Sequence, residues 1–96
     1  MMEQEFEWDE GKAESNLKKH EVSFETARLA FDDAFALDRL DTTMVYSEER
    51  FVIIGLVNGI LLTVVYPERK ERIRIISARS ATRHEEKEYH RGKAQE

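Results

Sequence analysis

Arg50 to Tyr66 reads RFVIIGLVNGILLTVVY, two β-rich apolar runs split by Asn58-Gly59. Asn-Gly tolerates positive φ at both central positions of a type I′ turn, so the segment predicts an antiparallel hairpin with strands from Arg50 to Val57 and from Ile60 to Tyr66. Both runs are apolar at odd and even positions alike, which predicts central strands covered at least partly on each face. Pro67 lacks a backbone donor and ends the second strand.

Upstream of the hairpin the period moves toward two, with Phe35 and Leu37 alternating against Ala36 and Asp38 before Asp41-Thr42-Thr43 closes a modest strand. Ahead of that strand Ser23 caps a helix. Its buried stripe is Phe24, Ala27, Phe31 and Ala34, and Val22 and Ala27 stand at the positions of a hydrophobic staple. Asp9 is the N-cap of an earlier helix running to about His20. Ala13, Leu17 and His20 share a narrow face there, Asn16 borders it, and Gly11 weakens the first turn. Phe6 and Trp8 alternate about Glu7 and suggest a short edge strand with both rings on one face.

Downstream, after a charged loop from Glu68 to Glu71, Arg72 and Arg74 alternate with Ile73 and Ile75. The isoleucines then face the helix layer and both arginines the opposite side. At Ile76 the phase breaks, and a bulge or strand end is needed to re-aim Arg79 outward. Thr82 to Glu85 fits a capping box opening a last helix, with Gly92 placed to close it. The expected architecture is α+β: two N-terminal helices packed on a four-stranded antiparallel sheet, a possible extra N-terminal edge strand, and a C-terminal helix.

The 96 residues fit one domain, 1–96, with a single core between two layers. With 41% hydrophobic and 36% charged residues the chain is neither apolar enough for a membrane protein nor poor enough in aliphatics to stay disordered. It has no cysteine, so the core must hold without disulfides or cysteine–zinc sites, and a cytoplasmic location fits. Met1 to Glu14 is acidic and polar, unlike a signal peptide, and no apolar run is long enough to span a bilayer. The net charge of −5 is unevenly spread: residues 1–66 carry 6 basic and 14 acidic side chains, residues 67–96 carry 9 and 6. Contacts with nucleic acid are therefore expected in the last third, while the acidic remainder limits indiscriminate binding to phosphate backbones. No helix pair with a basic recognition helix is present, which argues against a DNA-binding repressor.

Two blocks of residues resemble one family. Phe6-Glu7-Trp8-Asp9, Lys12, Asn16, Lys19-His20, Val22, Phe24 and Ala27 look like the N-terminal signature of the BrnT toxins. Arg74-Ile75-Ile76-Ser77-Ala78-Arg79, with Glu85 and Tyr89, looks like the C-terminal one. Glu21 departs from the pattern by standing where a glycine is expected. The resemblance implies a RelE-like fold, a ribonuclease that inhibits translation and growth, and a cognate BrnA-like antitoxin. The antitoxin would neutralise the toxin in a hetero-oligomer and contact operator DNA on its behalf. An alternative is a catalytically inactive module that keeps antitoxin binding and contributes to autoregulation of its operon.

Metal-independent RNA cleavage uses the adjacent 2′-hydroxyl as nucleophile and needs a base, an acid for the leaving 5′-oxygen, and cations for the phosphorane. Arg74 and Arg79 suit the last task, because a guanidinium holds two phosphate oxygens at once. The same arginines also fit a solvated strand edge paired with glutamates. His20 titrates near neutrality as a residue type, and equally fits a cap on the carbonyls ending its helix. Glu85 and Tyr89, four apart, share a helical face that can line the same cleft as Arg79. They fit a capping box and a packing contact just as well. Lys19, Arg72, Ser77 and Trp8 are the expected RNA contacts, although Lys19 also suits a solvated helix end and Trp8 a core position. His84 and His90 lie six apart, not the three or four that puts ligands on one helical face, and neither metal nor cofactor is expected.

Overall fold

The computed structural model of the chain describes residues 4–41, 49–67 and 71–94. In chain order the elements are β1 (Glu5–Glu7), α1 (Glu10–His20), α2 (Phe24–Ala27) continuing into a 3₁₀ turn (Arg28–Asp32), β2 (Leu37–Leu40), β3 (Phe51–Val57), β4 (Ile60–Tyr66), β5 (Arg72–Arg74), β6 (Ser77–Ser80) and α3 (Arg83–Ala94). The class is α+β, with a four-stranded antiparallel sheet in the order β2-β3-β4-β6 and a separate parallel pair, β1-β5.

The hairpin is the centre of the sheet. Asn58 and Gly59 both have positive φ, 51° and 85°, as a type I′ turn requires, and β3 pairs with β4 from Phe51–Tyr66 to Val57–Ile60. Both faces of these strands are covered in part, as their composition predicts, with Leu56 and Ile60 beside the turn left exposed. Ile53, Val57, Leu62 and Val64 pack with Phe24, Ala27 and Ala30 on one side, and Val52, Ile54 and Leu61 pack with Tyr89 of α3 on the other. Phe24 is only 1% exposed, and burying a side chain of that kind contributes roughly 1.5–3 kcal/mol.

Local signals set the helix starts. Asp9 accepts from the Lys12 amide at 2.9 Å, Ser23 from the Thr26 amide at 3.1 Å, and Thr82 from the Glu85 amide at 3.2 Å. Phe6 and Trp8 do place both rings against the main core, touching Phe31 and Phe24 respectively.

Several expectations are corrected. The second helix is one α-turn followed by 3₁₀ geometry, and Ala30 rather than Ala34 completes its buried stripe. The tighter winding brings Ala30 down on Gly55, where a Cβ would lie 2.5 Å from the Ala30 carbonyl oxygen. On α1 it is Asn16 that is buried, while Leu17 is 49% exposed. Arg72–Arg74 is not the fourth strand of the sheet: it pairs in parallel with Glu5–Glu7, and the fourth strand is Ser77–Ser80. The phase break at Ile76 is the strand end between the two, so Ile73 and Ile75 are buried and Arg79 lies on the α3 side. Gly92 does not close α3, which runs on to Ala94. The segment begun at Phe35 is a strand only from Leu37, and Thr42, Thr43 and residues 68–70 of the charged loop lie outside the described residues.

Candidate functional site

β6 positions the candidate residues. Ser77 and Arg79 sit opposite Val65 and Thr63 of β4, on the other side of the strand from Ala78, which faces the main core, and Arg79 reaches α3. Arg79 meets Glu85 from the first turn of α3 in a two-pronged pair, Nη1 to Oε1 at 2.7 Å and Nη2 to Oε2 at 3.0 Å. Nη1 also donates to the Ser80 carbonyl at 3.2 Å. The Glu85 side chain is 9% exposed and that of Arg79 is 37% exposed, so the carboxylate is enclosed while the guanidinium reaches solvent.

Glu85 collects further donors. Its Oε1 accepts from the Thr82 amide at 2.8 Å, completing the capping box, and from the Thr63 hydroxyl at 3.0 Å. Burial works against its charge, but the bonds from Arg79, Thr82 and Thr63 prevail and hold the carboxyl down to about 2. The Arg79 guanidinium is correspondingly raised above its ordinary value, chiefly by its hydrogen bonds to Glu85.

Tyr89, one turn further along α3, is 2% exposed and donates to Asp33 at 2.7 Å. Asp33 also accepts from the Leu56 and Phe35 amides, each at 2.9 Å. Burial and the Asp33 carboxylate push the Tyr89 phenol up to about 12.

The remaining candidates are spread over three places. Lys19, His20 and Ser77 line one cleft with Lys12, Asp9 and Asn16, beside the edge of β6. Arg72 and Arg74 are exposed on β5, each 3.3 Å from a glutamate of β1, Glu5 and Glu7. Trp8 stands edge-on to Phe24 in a groove that also holds Glu10, Glu14 and Glu25. Thus Arg79 and Glu85 are joined directly, Ser77 links their strand to the His20 cleft, and Arg74 and Tyr89 are held by other partners.

Three residues escaped the sequence reading of the site. Asn16 pairs with both backbone groups of Ala78, Asp33 receives Tyr89, and Thr63 reaches Glu85. Thr63 left a signal as the one polar side chain in ILLTVV, and Asn16 stood in the N-terminal signature block, whereas Asp33 left none. Among the described residues no three His, Asp or Glu side chains are grouped as metal ligands, and no helix is long and apolar enough to cross a membrane.

Residues 8–85 match the family described as ribonuclease toxin, BrnT, of type II toxin-antitoxin system. No curated protein matches the chain.

Proposed function

Since this chain belongs to the BrnT family of ribonuclease toxins of type II toxin–antitoxin systems, we propose that it cuts RNA by metal-independent attack of a 2′-hydroxyl on the neighbouring phosphate, with Arg79 holding that phosphate. The observation that carries this reading is the way Glu85 grips Arg79. Of the five guanidinium hydrogens, Nη1 and Nη2 spend three on Glu85 and the Ser80 carbonyl. Among the described residues no acceptor takes the Nε hydrogen or the second Nη2 hydrogen, and together they form a fork that fits two phosphate oxygens.

In the reaction the 2′-oxygen bonds to phosphorus, the bond from phosphorus to the 5′-oxygen breaks, and a 2′,3′-cyclic phosphate is left. Negative charge builds on the phosphoryl oxygens between these events, and a fixed cation stabilises it most when it need not reorient. Glu85 is an ionised anchor in this scheme: a carboxyl held to about 2 keeps no proton to deliver at neutral pH. Tyr89 is likewise an anchor, tying α3 to Asp33. His20 is assigned the proton transfer, supported by its place in the cleft that Ser77 shares. Lys19 and Ser77 follow the RNA backbone there, and Arg74 and Arg72 hold flanking phosphates by exchanging their exposed glutamate partners. Trp8 we assign to the core, because three glutamates around its groove repel phosphate.

A type II toxin has a protein antitoxin as partner, and we assign a BrnA-like protein to that role, in a hetero-oligomer that reaches DNA through the antitoxin. Cleavage takes place in the cytoplasm and halts translation and growth. The test is induced expression of the chain alone in a bacterium, beside Arg79→Ala, following growth and total RNA. Arrest and RNA breakage with the native chain only support the reading; two soluble, harmless proteins would favour a partner-binding module without catalysis.

A further inference from the structure

We propose that Thr63 is a positioning residue for RNA cleavage, its hydroxyl fixing the Glu85 carboxylate in the orientation that aims Arg79 at the phosphate. The inference rests on the ribonuclease reading above and adds to it a residue from the middle of the sheet.

Thr63 is 1% exposed in the centre of β4, and the neighbours on its face of that strand, Leu61 and Val65, are apolar. Valine has the same shape and would bury there without a polar atom. A hydroxyl in that position is costly unless it is hydrogen-bonded, and its bond is to Glu85 Oε1 at 3.0 Å. Thr63 is also the register partner of Arg79, so both side chains leave the sheet on the same face at adjacent points. Thr63, Glu85 and Arg79 therefore close a triangle of one hydrogen bond, one two-pronged ion pair and one strand pairing.

The geometry explains why two donors from different elements matter. The Thr82 amide reaches Oε1 from the start of α3 and the Thr63 hydroxyl reaches the same oxygen from the sheet. Either one alone leaves the carboxylate a freedom to swing. With both, Oε1 and Oε2 are set in the plane that the two Nη groups of Arg79 must match. A long side chain on an edge strand is thereby held in one pose before substrate arrives, and such preorganisation acts on the transition state more than on binding.

The experiment compares the purified full chain with Thr63→Val and Thr63→Ser. Three quantities are read: kcat and KM on a defined RNA oligonucleotide across pH, stability to urea, and hydrogen exchange and rotation of the Arg79 guanidinium by NMR. Thr63→Val is expected to lower kcat about tenfold with a smaller change in KM, the scale of one buried hydrogen bond. It should also raise the acid limb of the rate profile, because Glu85 loses a donor, and free the guanidinium. Thr63→Ser, which keeps the hydroxyl and loses a methyl, should restore most of kcat and the guanidinium restraint even where its stability falls. The proposal is overturned if Thr63→Val keeps native kcat, or if both variants lose activity only in step with stability. Should the native chain cut no RNA, the ribonuclease reading fails by itself. The guanidinium measurement then decides alone whether Thr63 holds Arg79: faster motion in Thr63→Val supports it, and unchanged motion refutes it.

Discussion

Asn16 pairs with Ala78 as a neighbouring strand would, donating to its carbonyl at 2.8 Å and accepting from its amide at 3.1 Å. A third bond, to the Val22 carbonyl at 3.0 Å, ties the same side chain to the entry of α2. One carboxamide thus closes the outer edge of β6, which would otherwise offer unpaired backbone groups to another chain, and seats α1 beside the strand that carries Arg79. Asn16→Ala leaves these backbone groups without partners and should cost about 1–3 kcal/mol in urea unfolding. A loss below about 0.5 kcal/mol, the usual range for a surface change, would mean that water replaces the side chain freely.

Glu85 should govern acid stability. Its folded pKa of about 2 lies below the ordinary glutamate value near 4.3, so its contribution is fully present above roughly pH 4.5 and is lost as pH falls toward 2. Glu85→Gln should therefore flatten the dependence of stability on pH inside that window and run parallel to the native chain above it. Urea midpoints taken from pH 2 to 7 check this; identical slopes in the window would contradict the bonding around Glu85.

Tyr89 has the opposite sign. Its raised pKa means that the neutral phenol stabilises the fold below about pH 10 and that this contribution disappears as pH rises toward 12. Tyr89→Phe should cost about 1 kcal/mol at neutral pH, one net hydrogen bond, and flatten the alkaline limb. Cleavage per folded molecule should persist. A well-folded Tyr89→Phe that no longer cuts RNA would show that the phenol takes part in the chemistry.

Glu21 ends α1 with φ of 57°, in the left-handed region, its amide bonded to the Leu17 carbonyl at 2.9 Å. A side chain is disfavoured there by about 1–2 kcal/mol, partly offset in a glycine variant by the greater freedom of its unfolded chain. Glu21→Gly should raise stability by about 0.5 kcal/mol and Tm by a few degrees. A lower Tm would show that the glutamate side chain contributes a compensating contact.

How far the sequence predicts the structure depends on how local the cause is. The hairpin and the caps at Asp9, Ser23 and Thr82 are legible because each is decided within four residues. The alternation of Arg72 to Ile75 is legible as a choice of face, yet it is silent on the strand's neighbour, and its partner β1 lies 67 residues away. The helix after Ser23 is shorter than its periodicity predicts, because the close approach of Ala30 to Gly55 does not show in that periodicity. At the candidate site, the capping box foretells that Glu85 faces the start of α3. It does not foretell Arg79 on the other side of the carboxylate, Thr63 at 22 residues' separation, or Asp33 at 56 residues from Tyr89. These meet only when the sheet is assembled.

The most direct measurement is the cleavage of a defined RNA oligonucleotide by the purified chain in excess EDTA, with the new 3′ ends identified and Arg79→Ala and Arg79→Lys run alongside. The native chain should leave 2′,3′-cyclic phosphate ends, Arg79→Ala none above background, and Arg79→Lys, which keeps the charge without the fork, should cut at a rate reduced at least about tenfold. No cleavage in EDTA, 3′-hydroxyl ends, or a native rate in Arg79→Ala would contradict the proposed mechanism.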